Sequence, residues 1–132
     1  MRILRSKKLI ALAAAVLVAA ALAATGLSAV WAQVVHADTV GGIHFRVVST
    51  SVDGFDSGWH IHPGLAIVQV REGSLQITQG SCTPKTVGPG ETLVEVPYQP
   101  VRGVAPGRAV WTTTFLTKTE DSPTLSMASP CP

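Results

Sequence analysis

At 132 residues the chain has room for one small domain and a leader. Its formal charge of +2 comes from ten Lys and Arg against eight Asp and Glu, but four of the basic residues, Arg2, Arg5, Lys7 and Lys8, precede the apolar leader. From Gln33 onward six basic residues face eight acidic ones, a balance of −2. That charge, with no basic stripe or aromatic platform, excludes nucleic acid as a partner, and the absence of any Asn excludes N-glycosylation.

The basic start is followed by an uncharged run over residues 9–32 dominated by Ala, Leu and Val. Basic residues before an apolar run with small residues at its end are the layout of a secretory signal peptide, with Val30, Trp31 and Ala32 as the preferred cleavage site. The alternative is a membrane anchor, since a helix over that run is about 36 Å long and crosses a bilayer. Either way the domain is exported, to the cell envelope or beyond it, and touches membrane only through residues 1–32.

After the leader, residues 40–51 alternate. Ile43, Phe45 and Val47 point one way and His44, Arg46 and Val48 the other, which predicts a half-buried strand. Residues 51–58, rich in Asp, Ser and Gly, read as a loop that delivers the chain to a short strand over residues 59–62. Pro63 and Gly64 interrupt that ladder, because proline has no N–H to donate. Residues 65–71 and 74–79 alternate again, and Glu72 and Gly73 between them read as a tight hairpin.

Residues 80–90, with Pro84, Gly88, Pro89 and Gly90, read as a connection, and residues 92–96 as a strand. Pro97, Pro100, Gly103, Pro106 and Gly107 break the next stretch, and residues 109–118, with Trp111, four Thr and Phe115, predict the last strand. Residues 120–132 are a Ser- and Pro-rich tail without periodicity. Short strands with turn signals every eight to twelve residues, and no helical spacing beyond the leader, predict an all-β sandwich or barrel. Cys82 and Cys131 are the two cysteines. In an exported chain an intramolecular bridge between them is the expectation, worth up to about 4 kcal/mol by loop-closure entropy; two free thiols or a bond between chains are the alternatives.

The stretch over residues 54–73, GFDSGWHIHPGLAIVQVREG, carries the chemistry. His60 and His62 are two apart, so on a strand both imidazoles leave on one side, and a converging imidazole pair is half of a first-row metal site. The segment resembles the first motif of the cupin family: Gly, five residues, His-x-His, three or four residues, Glu, six residues, Gly. Gly54, His60, His62 and Gly73 fall on that spacing, while the Glu position holds Ala66 or Ile67. Gly88, Gly90 and Pro97 resemble the opening of the second motif, one residue longer, after which Gln99 replaces the glycine, Arg102 the His and Pro106 the Asn.

The resemblance implies a single cupin-type jelly-roll barrel over residues 40–118, preceded by the leader helix and followed by an irregular tail over residues 119–132. It also implies a divalent transition metal, zinc, iron or manganese, held in the family by three His and one Glu, of which His60 and His62 remain. Glu95, on the strand before the altered motif, Glu91, which opens that strand, and His44 are the candidates to complete the set. Arg102, with five donors and no lone pair, is a solvated cation or an anchor for an anionic ligand. The implied function is an exported protein with an incomplete two-His site, holding a small molecule in the barrel without redox or hydrolytic chemistry. The rivals are a metal-dependent enzyme of dioxygenase, isomerase or decarboxylase type with a non-standard third ligand, and a self-associating envelope protein, because barrel edges pair into homodimers in many cupins. No residue is assigned a catalytic role.

Overall fold

The structure is a computed structural model that describes residues 29–118 and 122–132. The leader helix expected over residues 1–32 lies outside the described residues, except that Trp31 and Ala32 open a strand. Nine strands follow in chain order: β1 Trp31–Val40, β2 Ile43–Asp56, β3 His60–Ile61, β4 Leu65–Glu72, β5 Leu75–Gln79, β6 Lys85–Val87, β7 Thr92–Glu95, β8 Val101–Thr117 and β9 Leu125–Ser126. All belong to one curled sheet, and there is no helix among the described residues, so the all-β expectation holds.

β8 is the strand on which the sheet is built. Along one edge it pairs with β2, from His44 opposite Thr117 to Asp56 opposite Val104, and then with β3, His60 opposite Val101. Along the other edge it pairs first with β4, Leu65 opposite Leu116, and then with β5, Gln79 opposite Val101. This register forces the curl. His60 and Leu65 contact opposite ends of β8, about 50 Å apart on a flat strand, yet the chain between them spans at most about 18 Å. β8 therefore bends and brings its two ends together around a hollow. Its inward positions Ala109, Trp111, Thr113 and Thr117 are buried, Ala109 and Trp111 in one core cluster with Val52, Val68, Val70, Leu75 and Ile77. Each large apolar side chain withdrawn from water there contributes about 1.5–3 kcal/mol.

Several sequence expectations are corrected by this pairing. The loop expected over residues 51–58 is strand as far as Asp56, with a bulge at Gly54, whose φ is +78°. The break expected before residue 109 is bridged, because β8 begins at Val101. Pro106 and Gly107 fall where the ladders to β2 and to β4 and β5 both lapse, so the missing proline N–H is not needed. The connection over residues 80–90 contains β6, and the tail contains β9, which pairs with β3. β1 precedes the expected start of the barrel at residue 40 and pairs with β2 through a bulge near Val34.

The largest correction concerns Glu72 and Gly73. β4 and β5 do not fold back on one another; they run end to end along β8, so this is a corner and not a hairpin. Gly73 has φ +69°, and a Cβ there would stand 2.1 Å from the Arg108 carbonyl oxygen. Both the left-handed backbone and the close approach require glycine. Gly73→Ala is expected to lose about 2–4 kcal/mol of unfolding free energy in a urea titration. A loss below about 0.5 kcal/mol, the size of an ordinary surface substitution, contradicts the corner.

Candidate metal centre

His60 lies on β3 and His62 just after it, held between β8 and β9. Both are inside, 8% and 3% exposed, with their rings 4.8 Å apart and nearly perpendicular. The shared face read from their spacing is realised. His62 also packs against Phe115 from the far end of β8, at 5.4 Å between rings, a contact made by the curl of the sheet.

Each ring is oriented by a backbone carbonyl. His60 Nδ1 lies 3.0 Å from Gly58 O, and His62 Nδ1 lies 2.6 Å from Pro123 O, in the C-terminal tail. A carbonyl only accepts, so both protons sit on Nδ1, and in the neutral rings the Nε2 lone pairs are left free. Glu95, the last residue of β7 and 6% exposed, brings a carboxylate to them, its Oε2 2.9 Å from His62 Nε2. The approach is off the line of a hydrogen bond, so His62 Nε2 is a buried nitrogen without a partner of proper geometry. One ligand atom from each of His60, His62 and Glu95 falls within 4.8 Å of the others. Two imidazoles and a carboxylate gathered this closely in a buried space, with one nitrogen orphaned, are the donor set of a divalent cation, whose N and O ligands stand about 2.0–2.2 Å from the ion.

The three residues line a cavity of about 330 Å³ inside the curled sheet. Val68, Leu75, Ile77, Phe55, Trp111 and Phe115 make its apolar wall, Phe55 and Trp111 packing at 5.7 Å. Thr50 and Thr113 add hydroxyls, and among the described residues no Lys or Arg lines it.

No protein-family model matches the sequence, and no curated protein matches it. Solved structures do. A conserved Streptococcus pyogenes protein of unknown function superposes with a TM-score of 0.60 at 20% identity, over 69% of this chain and 76% of that one. A cupin superfamily protein of Desulfitobacterium hafniense DCB-2 gives 0.55 at 15% identity, over 67% and 78%. A cupin-like protein of Thermotoga maritima MSB8 gives 0.57 at 18% identity, over 76% and 77%.

The chain has the cupin fold.

Within that fold, a carboxylate stands one strand away from the place where the first cupin motif has its Glu. Ala66, the position for the Glu on the three-residue spacing, pairs in register with Glu95 on β7 and is fully buried; Ile67, the position on the four-residue spacing, pairs with Val94. Residues directly opposite in an antiparallel pair share a face with Cβ atoms about 4.5–5.5 Å apart. Glu95 therefore reaches the histidines over the small side chain of Ala66.

The other candidates lie elsewhere. His44 is at the β1–β2 turn, its Nδ1 3.0 Å from Thr39 Oγ1. Glu91 precedes β7, and its Oε2 accepts a hydrogen bond from the Gly88 amide at 2.5 Å. Arg102 is not in the cavity. It alternates on β8 with Gly103, which faces the cavity, so its guanidinium emerges on the other side, pairs through both Nε and Nη2 with Asp56, and lines a separate recess with Trp59 and Cys82. The Arg102 guanidinium, with the Gly58 amide, holds the Asp56 carboxyl at about 2. The residues that the sequence did not point to are Gly58 and Pro123, because they act through backbone carbonyls.

Burial depresses the His60 imidazole, and the neighbouring His62 adds to this. Burial also pulls His62 down, but the Glu95 carboxylate and the Pro123 carbonyl outweigh it and raise His62 above its usual 6.5. In the metal-free chain the proton on His62 therefore stabilises the fold fully below about pH 6.5, and this contribution is lost as pH rises through the raised value. His60 has the opposite sign: its contribution is present above its ordinary value and lost as pH falls through the depressed one. Glu95→Gln is expected to lower the His62 titration midpoint, followed by NMR of the imidazole C–H signals in the metal-free chain. An unchanged midpoint contradicts the pairing.

Proposed function

We propose that this chain is an exported cupin that binds a divalent transition metal through His60, His62 and Glu95 and takes a small, neutral, largely apolar molecule in the cavity beside it. The observation that carries the reading is the buried convergence of one ligand atom from each of His60, His62 and Glu95 within 4.8 Å, with His62 Nε2 lacking a hydrogen-bond partner. Two imidazoles and one carboxylate suit zinc, iron or manganese and leave coordination positions open. When bound, such an ion supplies Lewis acidity to an oxygen of the molecule it meets.

The remaining roles belong to the chain. The Gly58 and Pro123 carbonyls fix the imidazole tautomers. The aliphatic and aromatic wall excludes water and favours an apolar body. With Glu95 as a buried acid and no Lys or Arg among the described residues that line the cavity, an anionic group on the ligand meets no permanently charged cationic side chain there. Export rests on the leader sequence and is supported by the Cys82–Cys131 disulfide, a bond that persists in oxidising compartments.

The 2.9 Å approach of His62 to Glu95 favours one second reading, in which a protonated His62 neutralises the carboxylate and the barrel binds its molecule without metal. Elemental analysis of protein from metal-replete medium separates the two. We expect about one transition metal per chain, and His60→Ala, His62→Ala and Glu95→Ala each to weaken binding beyond the roughly 10- to 100-fold that loss of an outer partner costs. Protein without metal that takes up none on titration with zinc, iron(II) or manganese(II) sinks the metal reading in favour of the second.

A further inference from the structure

The C-terminal tail touches the site at several points. Pro123 O accepts the His62 Nδ1 proton at 2.6 Å, and Thr124 Oγ1 lies 3.4 Å from the same nitrogen. Leu125 and Ser126 pair with Ile61 and His60, and the Met127 amide donates to Trp59 O at 3.0 Å. The tail thus runs along the outer edge of the short strand that carries the histidines.

Little of its own substance holds it there. β9 is two residues long, and Leu125 and Met127 are 45% and 37% exposed, so the ladder is short and the apolar burial slight. Ordering a segment of this length costs more entropy than a few backbone hydrogen bonds return in water. The end of the tail, however, is fixed covalently: Cys131 is bonded to Cys82, in the connection after β5. The disulfide keeps Pro123 and β9 at high effective concentration beside β3.

We propose that residues 122–132 are a strap that positions His62 for the metal, that the Cys82–Cys131 disulfide is its clasp, and that opening this disulfide weakens the centre. The inference rests on the metal reading above. In the opening step a dithiol reductant gives two electrons and two protons; the S–S bond breaks, Cys82 and Cys131 become thiols, and the reductant leaves as its own disulfide. The Pro123 carbonyl then departs from Nδ1, the His62 ring samples both tautomers, and Nε2 no longer presents a fixed lone pair.

The test compares three forms of the chain: oxidised, reduced by dithiothreitol that is then removed without air, and the Cys82→Ser/Cys131→Ser double variant, which offers the ion no thiolate. Zinc titration is expected to show about 10- to 100-fold weaker binding in the last two than in the first, the range for losing an outer partner of a ligating histidine. A second readout needs no metal: at a pH above the His62 midpoint, where the ring is neutral, the ¹⁵N ring shifts of His62 report a single Nδ1–H tautomer in the oxidised chain and a mixture in the opened forms. Reoxidation restores both. If the double variant does not fold, the reduced and reoxidised wild-type chain decides through the His62 ring shifts in the absence of metal, which its two thiols do not bias. Equal zinc affinity, or one unchanged tautomer in all folded forms, overturns the proposal. If the oxidised chain takes up no zinc, the metal reading falls, and the proposed weakening of the centre falls with it, while the tautomer readout still decides whether the strap positions His62.

Discussion

Two backbone carbonyls decide what the interior of this barrel can hold. By taking the Nδ1 protons of His60 and His62 they leave both Nε2 atoms as acceptors in the neutral rings, that of His62 2.9 Å from a carboxylate that is also an acceptor and His60 within the same group of three. Acceptors gathered away from water repel one another and lose their hydration, which is costly in a buried space unless a proton or a cation joins them. His62 and Glu95, 2.9 Å apart, mark the compromise open to the chain alone: a proton taken up by the imidazole beside its carboxylate, in poor hydrogen-bond geometry. A divalent ion satisfies all three groups at once.

The curl of the sheet is what makes this gathering possible. β8 carries the β2–β3 edge on one side and the β4–β5 edge on the other, and the short chain from His60 to Leu65 ties its two ends together. Phe115, near one end of β8, thereby meets His62, near the other. The bend falls where Pro106 and Gly107 have no ladder partners. The residues that read as breaks in a strand are the ones that let a single long strand turn.

How far the site was legible in the sequence depended on how local its causes are. The His60 and His62 pair, two apart on a strand, was readable because strand alternation is a property of adjacent residues. Glu95 was only one of three candidates, because its place is set by the pairing of β4 with β7, residues far apart in sequence. The misread hairpin has the same origin. Glu72 and Gly73 carry a genuine turn signal, but a positive φ serves a corner as well as a hairpin, and a hairpin there puts β5 where β8 or β7 lies beside β4. Arg102 was matched to the third histidine by spacing alone, and in a strand a shift of one residue exchanges inside for outside. The part played by Pro123 had no sequence signal, since any residue supplies a carbonyl; only Cys131 hinted that the tail returns to the barrel.

In the proposed centre, two imidazoles and the carboxylate of β7 share one ion. X-ray absorption fine structure at the zinc edge, recorded on the chain loaded with one equivalent of zinc, addresses it directly. A shared ion gives outer-shell scattering from two imidazoles, with their nitrogens and an oxygen at about 2.0–2.2 Å, and an oxygen shell that changes when Glu95 is replaced by Gln. Scattering from fewer than two imidazoles, or a spectrum indifferent to Glu95, contradicts it.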